Sequence, residues 1–183
     1  GEGTSASTAT TASLLATSGN DRVIMVYDAE SRKKLCELRG HDHVIESLAF
    51  LTCAATSAAD APKSATKLTP EERRRKEEIR DYLASGSRDR TVKLWSIKAA
   101  SCLMSFESHE NWVRGVLIHP NGKFLISCGD DKSIRVYDIK ANRCLRTIDG
   151  AHSHFVTSIA MHHTLPVLVS GGVDQSVKCW QLD

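Results

Sequence analysis

HENWVRGVLIHPNGKFLISCGDDKSIRVYD, residues 109–138, opens on His109, carries Asp131 22 residues later, and sets Ser127 four residues before that aspartate and Tyr137 six after it. The same arrangement returns as His152, Ser170, Asp174 and Trp180. It returns again as Ser85, Asp89 and Trp95, whose histidine, His41, lies 48 residues before the aspartate because an insertion of about 26 residues intervenes. Thr17, Asp21 and Tyr27 make a fourth copy, without a histidine. Asp89, Asp131 and Asp174 are 42 and 43 residues apart, inside the window of roughly 40 to 45 that marks one blade of a β-propeller. Function is therefore expected on the surface of a disc rather than in a cleft between domains.

Aligned on their histidines, three segments share columns: Val44, Trp112, Phe155; Ile45, Val113, Val156; Glu46, Arg114, Thr157; Leu48, Val116, Ile159; Phe50, Ile118, Met161. They describe one short buried strand. A second strand follows (Leu83 to Ser85, Leu125 to Ser127, Leu168 to Ser170), then a tight turn with the aspartate and a third strand ending in the aromatic. A fourth, at Lys34 to Leu38, Ser101 to Phe106 and Arg143 to Ile148, leads to the next histidine. Four antiparallel strands per repeat predict an all-β chain: a WD-repeat β-propeller fragment, an open arc of about three to four blades.

Residues 1–50 read as a partial blade plus the first strand of the next, 51–82 as an inserted loop, and 83–183 as the remaining blades up to the third strand of the last. A histidine 22 residues before Asp21 would fall ahead of residue 1, and Asp183 directly follows a third strand. Both ends thus read as incomplete blades whose edges are paired in a longer parent. Within the insertion, Ala54 to Ala59 and Pro62 resemble linker, while Thr69 as N-cap, Pro70 at the first helical position and Glu71 and Glu72 at the positive dipole end predict a short charged helix from Pro70 to about Arg80. That segment is a mobile loop or a docking element.

The formal charge of +2 comes entirely from residues 63–81, seven basic against five acidic, so the rest is neutral and nucleic acid is disfavoured as a partner. No apolar run approaches the roughly 18 residues of a membrane helix, and Gly1 to Thr11 has neither a basic nor an apolar region. The chain reads as soluble, non-secreted and free of membrane contact. Its six cysteines show no CxxC spacing and are expected to be small buried hydrophobes in a reducing compartment.

Ser127, His109 and Asp131 imitate a hydrolase triad, but their recurrence argues for a clamp that every blade needs. In each, the aspartate accepts from the histidine, the histidine holds the hydroxyl, and the hydroxyl meets the aromatic: His41, Ser85, Asp89, Trp95; His109, Ser127, Asp131, Tyr137; His152, Ser170, Asp174, Trp180. With Tyr27 and Tyr137 in place of tryptophan the chain of bonds is expected to shorten and those blades to be looser. No catalytic residue, metal or cofactor is expected. His43, His119, His154, His162 and His163 lack complementary carboxylate or thiolate spacing, and no glycine-rich phosphate loop is present.

In a propeller the aspartate turns and the histidine loops share one side of the disc. That side offers Arg88 and Arg90 beside Asp89, Lys132 beside Asp131, His43, Trp112 and Phe155. Arginine with tryptophan is a common composition of interface hot spots. Trp112 has two readings, surface anchor or core, since Val44 and Phe155 share its column.

Cys102-Leu103-Met104, His109-Glu110-Asn111-Trp112-Val113-Arg114-Gly115-Val116-Leu117, Gly122-Lys123-Phe124-Leu125-Ile126-Ser127-Cys128 and Asp130-Asp131-Lys132 resemble the C-terminal blades of the lissencephaly, or nuclear-distribution, proteins, WD-repeat regulators of cytoplasmic dynein. Ser85-Gly86-Ser87-Arg88-Asp89-Arg90-Thr91-Val92-Lys93 and Val173-Asp174-Gln175-Ser176-Val177-Lys178 are similar too, and the resemblance runs from about Leu14 to the end. The insertion falls where that family has one. The resemblance implies a seven-bladed propeller, preceded in the parent by a dimerising helical segment absent here. It implies a narrow face that grips the dynein heavy chain motor domain through Arg88, Trp112 and Lys132, with Arg90 and Arg114 beside them. Further implied partners are NudE-type coiled-coil adaptors and platelet-activating-factor acetylhydrolase catalytic subunits. The setting implied is cytoplasmic, on microtubules and at the centrosome or spindle pole, in nuclear migration and cell division. Departures are Tyr137 for tryptophan and the charge-rich insertion. The alternatives are a generic WD-repeat scaffold and a ubiquitin-ligase substrate receptor. Such receptors resemble one another in carrying Trp-Asp-x-Arg after the third strand, where this chain has Trp95-Ser96-Ile97-Lys98 and Tyr137-Asp138-Ile139-Lys140.

Overall fold

The computed structural model describes residues 13–51, 82–162 and 165–182, and among these all regular structure is β. The first sheet pairs β1 (Leu14–Thr17), β2 (Val23–Asp28) and β3 (Lys34–Arg39). The second holds β4 (Ile45–Phe50), β5 (Tyr82–Ser87), β6 (Val92–Ser96) and β7 (Ser101–Phe106). The third holds β8 (Val113–Ile118), β9 (Phe124–Gly129), β10 (Ile134–Asp138) and β11 (Arg143–Ile148). The last pairs β12 (Val156–Met161), β13 (Val167–Gly172) and β14 (Val177–Gln181). Within each sheet the strands follow chain order and every neighbouring pair is antiparallel.

Each sheet buries a face against the next, because an isolated sheet of three or four short strands cannot cover its own apolar side. Ile24, Val26 and Leu38 of the first sheet meet Ile45, Leu83 and Trp95 of the second. Leu94, Val92 and Phe106 meet Val113, Leu125 and Tyr137 of the third. Ile126, Cys128 and Ile134 meet Val156 and Leu168 of the fourth. Among the described residues no core cluster joins the first sheet to the last, so the four sheets form an arc of a β-propeller.

One irregularity recurs. Where the first strand of a blade pairs with the second, the register slips by a residue: between Ile45 and Ser47, between Val113 and Gly115, and between Val156 and Ser158. Glu46, Arg114 and Thr157 therefore have no opposite number in the ladder. Such bulges bend the strand and re-aim one side chain.

Two expectations need correction or placement. Among the described residues the cysteines are not uniformly buried: Cys128 is, whereas Cys36 and Cys144 are half-buried and Cys102 and Cys179 are exposed. Cys36, Cys102 and Cys144 lie on fourth strands, which have solvent on one side, and Cys179 lies on the terminal β14. The helix expected over Pro70 to Arg80, and most of the insertion, fall outside the described residues.

Candidate partner-binding face

Three blades carry the buried clamp, and its bonds run in one direction. In the second sheet Trp95 Nε1 donates to Ser85 Oγ at 2.8 Å, Ser85 Oγ lies 2.6 Å from His41 Nε2, and His41 Nδ1 lies 2.7 Å from Asp89 Oδ2. An indole can only donate, so the serine oxygen accepts from it, turns its own proton to Nε2, and leaves Nδ1–H for the carboxylate. A neutral imidazole satisfies every group. His152, Ser170, Asp174 and Trp180 repeat this at 2.9, 2.7 and 2.9 Å.

The third sheet corrects the expectation for Tyr137. His109 lies 2.7 Å from Asp131 and 2.6 Å from Ser127, as in the tryptophan blades. The tyrosine hydroxyl still reaches the chain, 3.4 Å from Ser127 and 3.2 Å from a further serine, Ser108, and the ring is fully buried 4.6 Å from Phe106. A second hydroxyl thus replaces the missing indole N–H, and the blade is neither shortened nor loosely packed. In the first sheet, which has no clamp histidine, Tyr27 hydroxyl instead meets Met25 Sδ at 3.2 Å.

A repeated feature escaped the sequence reading although its signal was there. The residue two after each clamp aspartate is Thr91, Ser133 or Ser176, and its hydroxyl donates to the carboxylate at 2.7, 2.8 and 2.7 Å. The backbone N–H after each clamp histidine, of Asp42, Glu110 or Ser153, donates to the same carboxylate at 3.0 to 3.1 Å. Each aspartate therefore ties the loop before the blade to the turn within it.

These bonds set the titration. Burial pushes the Asp131 carboxyl up, but hydrogen bonds from His109 and Ser133 outweigh it and hold it at about 2. Burial likewise opposes His41 and Thr91 at Asp89, which ends well below the usual carboxylate range; Ser176, against burial and together with His152, does the same for Asp174. An unfolded aspartate titrates near 3.8, so the stabilisation is complete above about pH 5 and is lost as pH falls through the lower folded values. Chemical denaturation of the intact protein at pH 5, 4 and 3 should show stability falling with pH, and falling less steeply in Asp131→Asn.

The atoms of a hydrolytic triad are present, but access is not. Ser85 and Ser127 are 0% exposed and Ser170 1%, and each hydroxyl is engaged on both sides. No substrate carbonyl can reach them, so this polar network braces the blades.

Outside the clamp, the same turns present charge. The residue after each aspartate adopts a left-handed backbone, Arg90 at φ 72° and Lys132 at φ 64°, closing its turn through its N–H to Ser87 O and Gly129 O at 3.2 Å. Both side chains are exposed. Arg88, half-buried, donates through Nε to Glu46, and its guanidinium carbon lies 4.4 Å from the centroid of the Trp112 ring. Arg114 lies 5.0 Å from the same ring, but its guanidinium fork is occupied by Asp130 at 2.8 and 2.9 Å. Trp112 is half-buried and outside the core clusters, which decides between its two readings: it is a surface ring backed by two guanidiniums. Exposed His43 is 6.5 Å from it, and half-buried Phe155 packs at 4.3 Å against His154, farther along the chain. Glu46 and Asp130, which organise this face, stand in the sequence only as a repeat column and a turn segment, with no sign of the pairing the fold gives them.

Among the described residues no group of three or more His, Cys, Asp or Glu is placed to hold a metal ion, and no helix is long and apolar enough to cross a membrane.

Comparison with known proteins adds two findings. Residues 80–96, 100–138 and 142–181 match the family described as WD domain, G-beta repeat. The chain is 40% identical over 152 residues to the Lissencephaly-1 homolog of Dictyostelium discoideum, covering 79% of this chain and 35% of the relative. It is 37% identical over 171 residues to Nuclear distribution protein PAC1 of Yarrowia lipolytica, covering 89% and 36%. It is also 36% identical over 152 residues to Nuclear distribution protein nudF of Emericella nidulans. The chain spans about a third of the length of these curated relatives.

Proposed function

Because the chain belongs to the WD domain, G-beta repeat family, we propose that it acts as a non-catalytic interaction module of a nuclear-distribution protein, binding the dynein heavy chain motor domain through the face that carries the aspartate turns. The observation that carries this reading is the cluster on that face: Trp112 backed by Arg88 and Arg114, with exposed Arg90 and Lys132 on the adjoining turns. A rigid aromatic with unspent cations beside it is the composition of a hot spot for an acidic protein surface. Regulation then means holding one arrangement of the motor, to the extent that the face binds that arrangement better than others. NudE-type adaptors, acetylhydrolase catalytic subunits, a homodimeric parent and a microtubule-associated cytoplasmic setting belong to the same reading.

The structure changes how the reading is best tested. Arg88→Glu would set a second carboxylate beside Glu46 and uncover Trp112, so it probes folding as well as binding. Arg90 and Lys132 make no side-chain bond among the described residues and give a cleaner probe. In the intact protein, Arg90→Glu with Lys132→Glu should leave the melting curve in place. It should weaken motor binding about tenfold or more at low salt, the deficit shrinking as ionic strength rises. Equal affinities at every salt concentration would remove these two residues from the interface.

A further inference from the structure

Glu46 sits in the bulge of β4 and Arg114 in the bulge of β8, each without a residue opposite it. Ordinary strand alternation would send these side chains along the blade faces; the bulge re-aims them. Arg88, from the turn between β5 and β6, and Asp130, from the turn between β9 and β10, meet them there. Glu46 then serves two cations from neighbouring blades: one carboxylate oxygen accepts from Arg88 Nε, and the other lies 3.6 Å from Arg114 Nη1. Asp130 takes the Nε and Nη2 of Arg114. Both guanidiniums are thereby held against Trp112.

The two arginines come out of this arrangement unequal. Arg114 gives Nε and Nη2 to Asp130 and sets Nη1 3.6 Å from Glu46, whereas Arg88 spends only Nε, and among the described residues nothing accepts from its two terminal amino groups. A long side chain left to itself loses rotamer freedom when a partner binds; one already pinned does not.

We propose that Glu46 is a positioning residue of the partner-binding face: by pinning Arg88 over the Trp112 ring it presents indole and guanidinium as one prearranged anchor for a carboxylate of the partner. This rests on the reading of the face given above. It carries a sign that separates it from a plain electrostatic role. An acid that merely lies beside a basic face weakens an acidic partner's binding, so deleting it would tighten the complex. A positioning acid does the reverse.

The test uses the intact protein and the isolated dynein motor domain, with affinity measured for wild type, Glu46→Leu, Glu46→Gln, Arg88→Ala and Trp112→Ala. Glu46→Leu is expected to bind roughly three- to tenfold more weakly, the range for freeing one side chain. Glu46→Gln, which keeps an acceptor oxygen for Arg88, should recover part of the loss. A spectroscopic arm follows the arginine Nε–H resonances: in Glu46→Leu the Trp112 ring-current shift of Arg88 should collapse, while that of Arg114, still held by Asp130, should persist. If Glu46→Leu binds as tightly as wild type or tighter while Arg88→Ala and Trp112→Ala weaken binding, positioning by Glu46 is refuted and the face stands. If Arg88→Ala and Trp112→Ala both bind as wild type, the face is misassigned and the proposal falls with it.

Discussion

Replacing His109 by leucine is expected to cost about 3 kcal/mol of folding stability, because it strips two partners from groups that water cannot reach. Asp131 has a side chain only 4% exposed and loses the 2.7 Å bond from Nδ1; Ser127, fully buried, loses the 2.6 Å bond to Nε2. Leucine fills the space and satisfies neither. Urea denaturation monitored at pH 7 measures the loss. His154→Leu, an exposed position, should stay within about 0.5 kcal/mol of wild type. In a double-mutant cycle, adding Asp131→Asn to His109→Leu should cost less than the sum of the single changes, since the His109–Asp131 bond is lost in either single change and can be lost only once. Additive costs would show that the two side chains do not act as one unit.

Gly129→Ala should be comparably severe, by a different route. A Cβ at Gly129 would stand 2.5 Å from the Trp112 carbonyl oxygen, 3.3 Å from His109 Nδ1 and 3.4 Å from Asp131 Oδ1. The nearest obstacle is backbone, and that carbonyl already accepts from Asp130 N–H at 2.8 Å, so it cannot retreat without breaking the link between the loop and the turn. A loss of about 3 kcal/mol or more is expected, at the upper end for overpacked sites. Because Trp112 itself must shift, partner binding should fall as well. Gly19→Ala is the matched control: nothing lies within 4 Å of its Cβ position, and a neutral or slightly stabilising result is expected. Equal behaviour of the two alanines in thermal denaturation would rule out the steric account.

Both predictions concern positions whose importance could be seen at different depths. His109 was legible because its spacing to Asp131 recurs at His152 and Asp174, and a side chain that must bond a fixed partner in every blade cannot drift along the chain. The accessory hydroxyls Thr91, Ser133 and Ser176 were equally periodic and could have been found in the same columns. Gly129 is harder, since the equivalent residues are Gly19, Ser87 and Gly172, and of the glycines only Gly129 and Gly172 lie where a blade's histidine clamp crowds the site. In the second sheet the room is taken by a serine whose hydroxyl bonds the Val44 carbonyl at 2.8 Å. The role of Tyr137 is not legible in its column because its compensating partner, Ser108, stands 29 residues away in sequence and only the fold brings them together.

Repetition in the amino-acid sequence was enough to determine the blades, their strand order and the three clamps, because the contacts that make a blade are local and identical from copy to copy. Only the tertiary structure decided how neighbouring blades meet: Glu46 bridging Arg88 and Arg114, and Trp112 lying against both guanidiniums. Those contacts join residues that differ between copies and face one another only after bulges turn them and sheets dock. A periodic pattern cannot encode a junction between unlike side chains, so the face that distinguishes this protein is written in the packing rather than in the repeat.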